Sequence, residues 1–232
     1  MSNYIENILD DEYPNFKNII KKIENPPQTK VLTKTIMTEE DVENLLNKLT
    51  ENEKYEDACL IALAAFSGRR KSELLRFKVS DFNDDKLVCD GTLYKSSPIK
   101  TKGRGKEGKL LECYTLSKEV KPYIDRWMEY RKNNNIESEW LICNINKPEE
   151  PVKVSTLNSW YKRYSKMLGK EFYLHSLRHG FCTRLLRAGI PAIVIKELIG
   201  WESVDMVSVY SDISTDESVS KYFGNKTEIR TA

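Results

Sequence analysis

The pattern of apolar residues changes within this chain, and that change limits the folds open to it. Before residue 82 and after residue 116 the apolar residues recur with a helical period. Between these positions, β-forming runs are separated by the turns Asp90-Gly91 and Gly103–Gly108. We expect helices from Thr38, a natural N-cap, and over residues 54–66, 117–133, 154–168, 175–188 and 191–199. The chain is therefore predicted to be mainly α with a small three-stranded antiparallel β-sheet, an α+β fold.

Composition excludes several classes of protein. A hydrophobic fraction of 40% and a charged fraction of 31% are typical of a soluble globular protein. The longest apolar run, Ala58–Phe66, is too short to cross a bilayer, so no membrane partner is expected. The five cysteines form neither a zinc-binding spacing nor an even set for disulfides, which predicts a reducing, cytoplasmic location. Both histidines lie in one cluster, so we expect no metal and no cofactor.

Charge is distributed unevenly along the chain. Residues 151–187 contain eight basic residues and one acidic residue, a net charge of +7, whereas residues 1–60 carry −6. A basic stretch of this kind suits a phosphate backbone, although a solvated helix face gives the same pattern. The histidine cluster inside the stretch favours double-stranded DNA as the partner. The candidate DNA-binding residues are Lys153, Lys162, Arg163 and Lys166, with Lys100 and Arg104 from the basic turn between two predicted strands.

Two separated clusters carry groups that can act on a phosphodiester. The first, Ser67–Leu74, places Arg70 at a loop-to-helix junction with Glu73 one turn later. An arginine fork can donate two hydrogen bonds to phosphate oxygens, but a surface Arg–Glu pair is the alternative interpretation. The second cluster places His175 and Arg178 on one helix face, where imidazole can move a proton and guanidinium can hold an oxygen. Packing of His175 at the helix start is its alternative.

Three further residues complete the candidate set. Lys102, in the basic turn, is placed to protonate a leaving 5′ oxygen, although Lys100, Lys106 and Lys109 compete for that role. Tyr210 supplies a phenol, a poor nucleophile unless a base or a positive field assists it. Trp201, nine residues earlier, offers an indole N–H to a phosphate oxygen or else packs in the core. A packing role is also the alternative for Tyr210, one of twelve tyrosines.

Taken in order, these motifs resemble the tyrosine recombinase (integrase) family. The family pattern of Thr/Ser-Gly-x-Arg-x-x-Glu-Leu is matched by residues 67–74, and a lysine on a β-hairpin is matched by Lys102. His-x-Leu-Arg-His is matched by residues 175–179, and the nucleophilic tyrosine by Tyr210. Trp201 stands where most members have a second histidine, so it keeps an N–H donor but loses a group that titrates.

The resemblance implies a catalytic-domain fold, a reaction and a set of roles. Tyr210 would attack the scissile phosphate, giving a 3′-phosphotyrosyl link and a free 5′-hydroxyl, while Lys102 protonates the leaving oxygen. Charge on the phosphoryl oxygens would be stabilised by Arg70, Arg178, His175 and Trp201. Family members need neither metal nor ATP, and they act as homo-tetramers on DNA, so we expect a monomer when free. The alternatives are a type IB topoisomerase or telomere resolvase with the same chemistry, or a DNA-binding module without activity.

The expected domain organisation has three parts. Residues 1–30 form a short N-terminal segment and linker, a possible remnant of a core-binding domain, and residues 31–211 form the catalytic domain. Residues 212–232 form a C-terminal tail, for which the resemblance implies docking on a neighbouring protomer through Val219, Tyr222 and Phe223. A frayed tail is the alternative. The first 30 residues are too few for the helical domain that most members carry there. We therefore expect a catalytic fragment or a minimal member, with weak DNA binding in isolation.

Overall fold

The computed structural model describes residues 37–101 and 109–209, together with Ser214 and Ser220. Contacts divide the chain into the units Met1–Lys34 and Thr35–Ala232, and every described residue belongs to the second unit. The predicted segment 1–30 lies outside the described residues, as do Lys102, Arg104 and Tyr210. Among the described helices, none is both long enough and apolar enough to span a bilayer.

Helices account for most of the described chain, as the sequence predicts. In chain order they are α1 (Glu39–Glu51), α2 (Tyr55–Ser67), α3 (Lys71–Leu74), α4 (Ser117–Asn133), α5 (Leu157–Leu168), α6 (Leu174–Arg187), α7 (Ala192–Ile199) and α8 (Asp205–Val209). The expected N-cap of α1 is confirmed: the backbone N–H of Asp41 donates to Thr38 Oγ1 at 3.1 Å, and Asp41 Oδ2 accepts from the Thr38 N–H at 2.8 Å. These reciprocal bonds satisfy two backbone donors and fix the start of the helix.

The start of α5 differs from the prediction by three residues and the start of α7 by one. Helix α5 begins at Leu157 because the preceding residues form turns, in which the Thr156 N–H donates to the Lys153 carbonyl at 2.9 Å. Pro191 has φ −58° and ψ 142°, so it caps α7 instead of occupying its first turn. Both differences are local, because the apolar period marks the body of a helix more clearly than its ends.

The β-structure is divided into more ladders than expected. A three-stranded antiparallel sheet has the order β1 (Leu87–Val88), β2 (Leu93–Lys95), β5 (Tyr114–Leu116), with Leu93 opposite Leu116. A separate hairpin pairs β3 (Ile99–Thr101) with β4 (Lys109–Leu111), and another pairs β6 (Cys143–Asn144) with β7 (Lys147–Pro151). The predicted three-stranded sheet is therefore present, whereas the β6–β7 hairpin was not predicted.

A serine side chain explains why the β-forming run that follows Asp90-Gly91 is divided between two ladders. Ser96 Oγ accepts from the Cys113 N–H at 2.9 Å, and the Ser96 N–H donates to the Cys113 carbonyl at 2.9 Å. Pro98 has no N–H to continue the ladder. The β3–β4 hairpin therefore leaves the sheet and forms a separate arm.

Helix α2 is the centre of the main core. Its residues 57–65 are all buried, and α1, α4 and α6 pack around it. A helix that is apolar all round is stable only when it is covered on every side. A second, smaller core contains Phe181 and Cys182 of α6, Ile195 and Ile199 of α7, and Trp201. This second core sets the position of the chain that leads to α8.

Candidate active site

Arg70 is held at the surface by a buried carboxylate. It caps α3, and Glu73 Oε2 accepts from its backbone N–H at 3.1 Å while Glu73 Oε1 accepts from Nη1 at 3.2 Å. Glu73 is 1% exposed, whereas the Arg70 side chain is 39% exposed. The pair is therefore not an incidental surface ion pair, because a carboxylate buried at this depth needs its cation. Glu73 fixes one edge of the guanidinium and leaves the group accessible to a ligand.

Arg178 is anchored beneath the same turn. Its Nη1 donates to the Gly68 carbonyl at 2.8 Å, two residues before Arg70. Its guanidinium carbon lies 4.9 Å from the centre of the Trp201 ring, a cation–π distance. Arg178 and Trp201 are only 2% and 6% exposed. The structure thus brings three of the predicted site residues around one turn of backbone.

Gly68 makes this close approach possible. It ends α2 in the left-handed conformation, with φ +60°, and a Cβ at this position would lie 2.6 Å from Phe181 Cδ1. Real carbon atoms do not approach this closely, so any side chain here would displace α6. Since α6 carries His175 and Arg178, the glycine sets how closely these residues approach Arg70.

Arg70 borders two cavities. One, of about 430 Å³, is lined by Arg70 together with Tyr161, Tyr173 and the exposed His175. The other, of about 400 Å³, lies between the β3–β4 hairpin and the α7–α8 segment and is lined by Arg70, Thr101, Lys109, Trp201 and Met206. Arg70 therefore lines both the cavity that contains His175 and the cavity that contains Trp201.

Two of the predicted site residues, Lys102 and Tyr210, lie close in sequence to residues that line the second cavity. Thr101, which lines it, immediately precedes Lys102, and Met206 belongs to α8, which ends one residue before Tyr210. Lys102 and Tyr210 themselves lie outside the described residues. Their roles stay predictions.

The second histidine of the cluster packs against the first. The rings of His175 and His179 meet edge to face, with centroids 5.9 Å apart. Among the described residues no group of three or more His, Cys, Asp or Glu side chains is arranged to hold a metal ion. All five cysteines are free thiols, and only Cys89 is exposed.

The predicted DNA-binding residues differ in their surroundings. Lys100, Lys153, Lys162 and Lys166 are exposed. Arg163 instead bonds through Nη2 to Asp57 Oδ1 at 2.6 Å and Oδ2 at 2.7 Å, and the Tyr164 hydroxyl donates to Asp57 Oδ1 at 2.5 Å. Burial beside this carboxylate raises the pKa of Tyr164. Arg163 thus links α5 to α2, so its part in DNA binding stays a prediction.

Sequence reasoning assigned no role to Arg69, although it adjoins Arg70. Its guanidinium is buried and donates to the carbonyls of Leu198 at 2.7 Å and Ile199 at 3.2 Å. The only signal in the sequence was the Arg-Arg pair itself. In extended backbone, neighbouring side chains point in opposite directions, so one arginine of such a pair can face inwards.

The chain matches a known family over most of its length. A family model described as "Phage integrase family" matches residues 35–217. The tyrosine recombinase XerA of Thermococcus kodakarensis is 28% identical over 213 residues, covering 90% of this chain and 66% of the relative. The SPbeta prophage-derived recombinase-like protein YomM of Bacillus subtilis is 30% identical over 224 residues, covering 93% and 62%. The chain thus spans somewhat less than two thirds of the length of these relatives.

Solved structures share the fold. The crystal structure of XerA recombinase superposes with a TM-score of 0.64 at 19% identity, covering 83% of this chain and 65% of that one. A lambda integrase tetramer bound to a Holliday junction gives a TM-score of 0.60 at 17% identity, covering 90% and 56%. The chain therefore shares its mainly helical architecture with small antiparallel sheets with these solved structures.

Proposed function

Since the chain belongs to the phage integrase family, we propose that it is a site-specific recombinase that breaks and rejoins DNA strands through a 3′-phosphotyrosyl intermediate. The position of Arg70 carries this proposal. It lines both a cavity that contains His175 and a cavity that contains Trp201. A half-exposed guanidinium that shares a cavity with an exposed imidazole suits an anion with several oxygens, such as a phosphodiester.

The reaction begins when the Tyr210 oxygen attacks the scissile phosphorus and the hydroxyl proton of Tyr210 passes to the imidazole of His175. A bond forms between that oxygen and phosphorus, the bond from phosphorus to the 5′ oxygen breaks, and Lys102 gives the departing oxygen its proton. Arg70, Arg178, His175 and Trp201 stabilise the charge on the phosphoryl oxygens, and donors held in place beforehand make the largest contribution to such catalysis. Rejoining runs the same steps in reverse with a new 5′-hydroxyl. The phosphotyrosyl bond conserves the energy of the original linkage.

Exposed cations extend from the site towards a duplex. Lys100 lies on the β3–β4 hairpin beside the second cavity, and Lys162 and Lys166 lie on α5. Lys153 precedes α5, and Arg104 belongs to the same basic turn as Lys102. Together they would neutralise backbone phosphates, which supplies affinity without sequence readout. Free thiols and a DNA substrate also favour the cytoplasm as the location.

Strand exchange requires several protomers, and we propose a tetramer on DNA that is monomeric when free. The fold shared with a lambda integrase tetramer on a Holliday junction supports this assembly. The tail, residues 212–232, would dock on a neighbouring protomer. A groove of about 400 Å³ between α1, α2, α4 and α6 is a suitable acceptor, since it is lined by Val42, Leu46, Phe66, Pro122 and Phe181. Native mass spectrometry of DNA complexes should show tetramers with the whole chain and smaller species after deletion of 212–232.

Trapping of the covalent intermediate tests the proposed chemistry. The substrate is a pool of duplexes of randomised sequence, each nicked near its centre so that the short released strand diffuses away. We expect the protein to become covalently attached to DNA, and nuclease digestion followed by mass spectrometry should place the nucleotide on Tyr210. Sequencing of the captured duplexes then gives the target site.

Two tyrosine variants make the test specific. Tyr210→Phe should abolish the adduct, whereas Tyr130→Phe, which changes a tyrosine packed on Trp127, should leave it intact. DNA binding without any adduct would identify a binding module. An adduct that survives in Tyr210→Phe would assign the nucleophile elsewhere, and relaxation of any supercoiled plasmid by monomers would identify a topoisomerase.

A further inference from the structure

The C-terminal end of α7 is completed by a side chain from a distant part of the chain. A helix leaves its last four carbonyls without partners inside the helix. Here the Lys196 carbonyl accepts from the N–H groups of Gly200 and Trp201, and the Glu197 carbonyl accepts from Gly200. This pattern of bonds, with Gly200 in the left-handed conformation at φ +74°, is a Schellman motif. It leaves the carbonyls of Leu198 and Ile199.

Arg69 supplies the missing donors. Its Nη2 donates to the Leu198 carbonyl at 2.7 Å and its Nη1 to the Ile199 carbonyl at 3.2 Å. The guanidinium is buried, and its positive charge lies at the negative end of the helix dipole. Both effects favour one position for the end of α7.

The same guanidinium reaches the base of the β3–β4 hairpin. Nη2 lies 3.4 Å from the carbonyl of Glu112, which follows β4. A Cβ on Gly200 would lie 3.0 Å from both Arg69 Nη1 and Leu111 Cδ1, so the helix end, the arginine and the hairpin are in close contact. Three chain segments that border the second cavity therefore meet at Arg69.

We propose that Arg69 is a positioning residue, which fixes Trp201 and the hairpin relative to Arg70. It follows Gly68, whose carbonyl binds Arg178, and precedes Arg70, which lines the cavity. It also binds the two residues before Gly200-Trp201. Arg69 thus fixes the turn that carries Arg70 relative to the end of α7 that leads to Trp201. Both residues are proposed phosphate-binding groups. This role in catalysis rests on the proposed function, but the anchoring of α7 does not.

Arg131 provides a matched control. It is equally buried and also donates to backbone carbonyls, those of Ile136 at 3.3 Å, Ser138 at 2.6 Å and Trp140 at 2.9 Å. It lies at the end of α4 and lines neither cavity beside Arg70. Arg131→Met therefore removes the same kind of interaction from a place outside the site, whereas Arg69→Met removes it inside the site.

Hydrogen–deuterium exchange tests the anchoring directly. Arg69→Met should raise exchange at residues 196–207 by about 10-fold or more, because hydrogen bonds to charged groups hold the helix end closed. Arg131→Met should raise exchange at residues 136–141 and leave 196–207 unchanged. Unchanged exchange at 196–207 in Arg69→Met, or equal increases in both variants, would overturn the proposal whatever reaction the protein performs.

Single-turnover cleavage of the selected substrate tests the consequence for catalysis. With saturating DNA, Arg69→Met should slow adduct formation on the order of 100-fold, since a misplacement of about 1 Å can have such an effect, while DNA affinity changes little. Arg69→Lys, which keeps the charge but not the fork, should recover part of the rate. Equal slowing in Arg69→Met and Arg131→Met would overturn the positioning role. If the unaltered protein forms no adduct, the proposed function fails, and exchange at 196–207 still decides whether Arg69 anchors α7.

Discussion

A methyl group added at Gly68 should disrupt both the stability and the chemistry of this protein. Two costs add in Gly68→Ala. A side chain in the left-handed conformation costs about 1–2 kcal/mol, and a Cβ 2.6 Å from the Phe181 ring overpacks the core at a cost of about 1–3 kcal/mol. The smaller entropy of the unfolded alanine chain offsets about 0.4–1 kcal/mol. We expect a net loss of about 1–5 kcal/mol.

Gly169 isolates the contribution of the close contact. It ends α5 with φ +70°, but a Cβ there has no heavy atom within 4 Å apart from its chain neighbours, so Gly169→Ala carries only the conformational cost. Urea unfolding of the two variants should therefore differ by about 1–3 kcal/mol. Losses that agree within about 0.5 kcal/mol would refute the argument that Phe181 sets the approach of α6.

The two variants should also differ in activity. Relief of the clash moves α6 away from the turn and lengthens the bond from Arg178 Nη1 to the Gly68 carbonyl, which is now 2.8 Å. At a temperature where both variants are folded, Gly68→Ala should form the covalent adduct on the order of 10- to 100-fold more slowly. Gly169→Ala should retain the rate of the unaltered protein. Equal rates would contradict a geometric role for the glycine.

Two further variants test the carboxyl groups of Glu56 and Asp57. Burial raises the pKa of the Glu56 carboxyl to about 8 from 4.5, so between these values the unfolded chain holds fewer protons and stability falls as the pH rises. Between pH 5 and 9 the free energy of unfolding of the unaltered protein should therefore fall by at most about 5 kcal/mol. Glu56→Gln should not show this fall when unfolding is measured at both pH values. A pH profile that is the same in both proteins would contradict this prediction. Arg163→Gln should cost about 1–3 kcal/mol because it leaves Asp57 buried without its cation. Lys166→Gln should instead change stability by less than about 0.5 kcal/mol and reduce the salt dependence of DNA binding. Equal stabilities of Arg163→Gln and Lys166→Gln would show that the ion pair with Asp57 does not stabilise the fold.

Much of the fold could be predicted from the sequence because it depends on local interactions. The cap at Thr38, the apolar faces of α1 and α2, and the extent of α4 all depend on residues within one or two helical turns of each other. The reach of Glu73 to Arg70 is likewise a contact across three residues. For the same reason the loop-to-helix junction at Arg70 could be predicted from the sequence.

Contacts between distant segments could not be predicted from the sequence in this way. The division of the sheet depends on Ser96 meeting Cys113, and the ion pair of Arg163 depends on Asp57, 106 residues away. Neither partner carries a local pattern that identifies the other. The β6–β7 hairpin was missed because its strands are short and contain Pro148, Pro151 and two glutamates, which disfavour a strand.

The sequence by itself determined which chemical groups this protein has and in what order: two arginines, an imidazole, an indole and a phenol on a mainly helical chain. Tertiary structure decided which of two adjacent arginines is turned towards the surface and lines both cavities. Arg70 is turned outwards by Glu73, and Arg69 is drawn inwards by the carbonyls that end α7, about 130 residues later. The two side chains are chemically identical, so only the partners that folding brings to each can distinguish them.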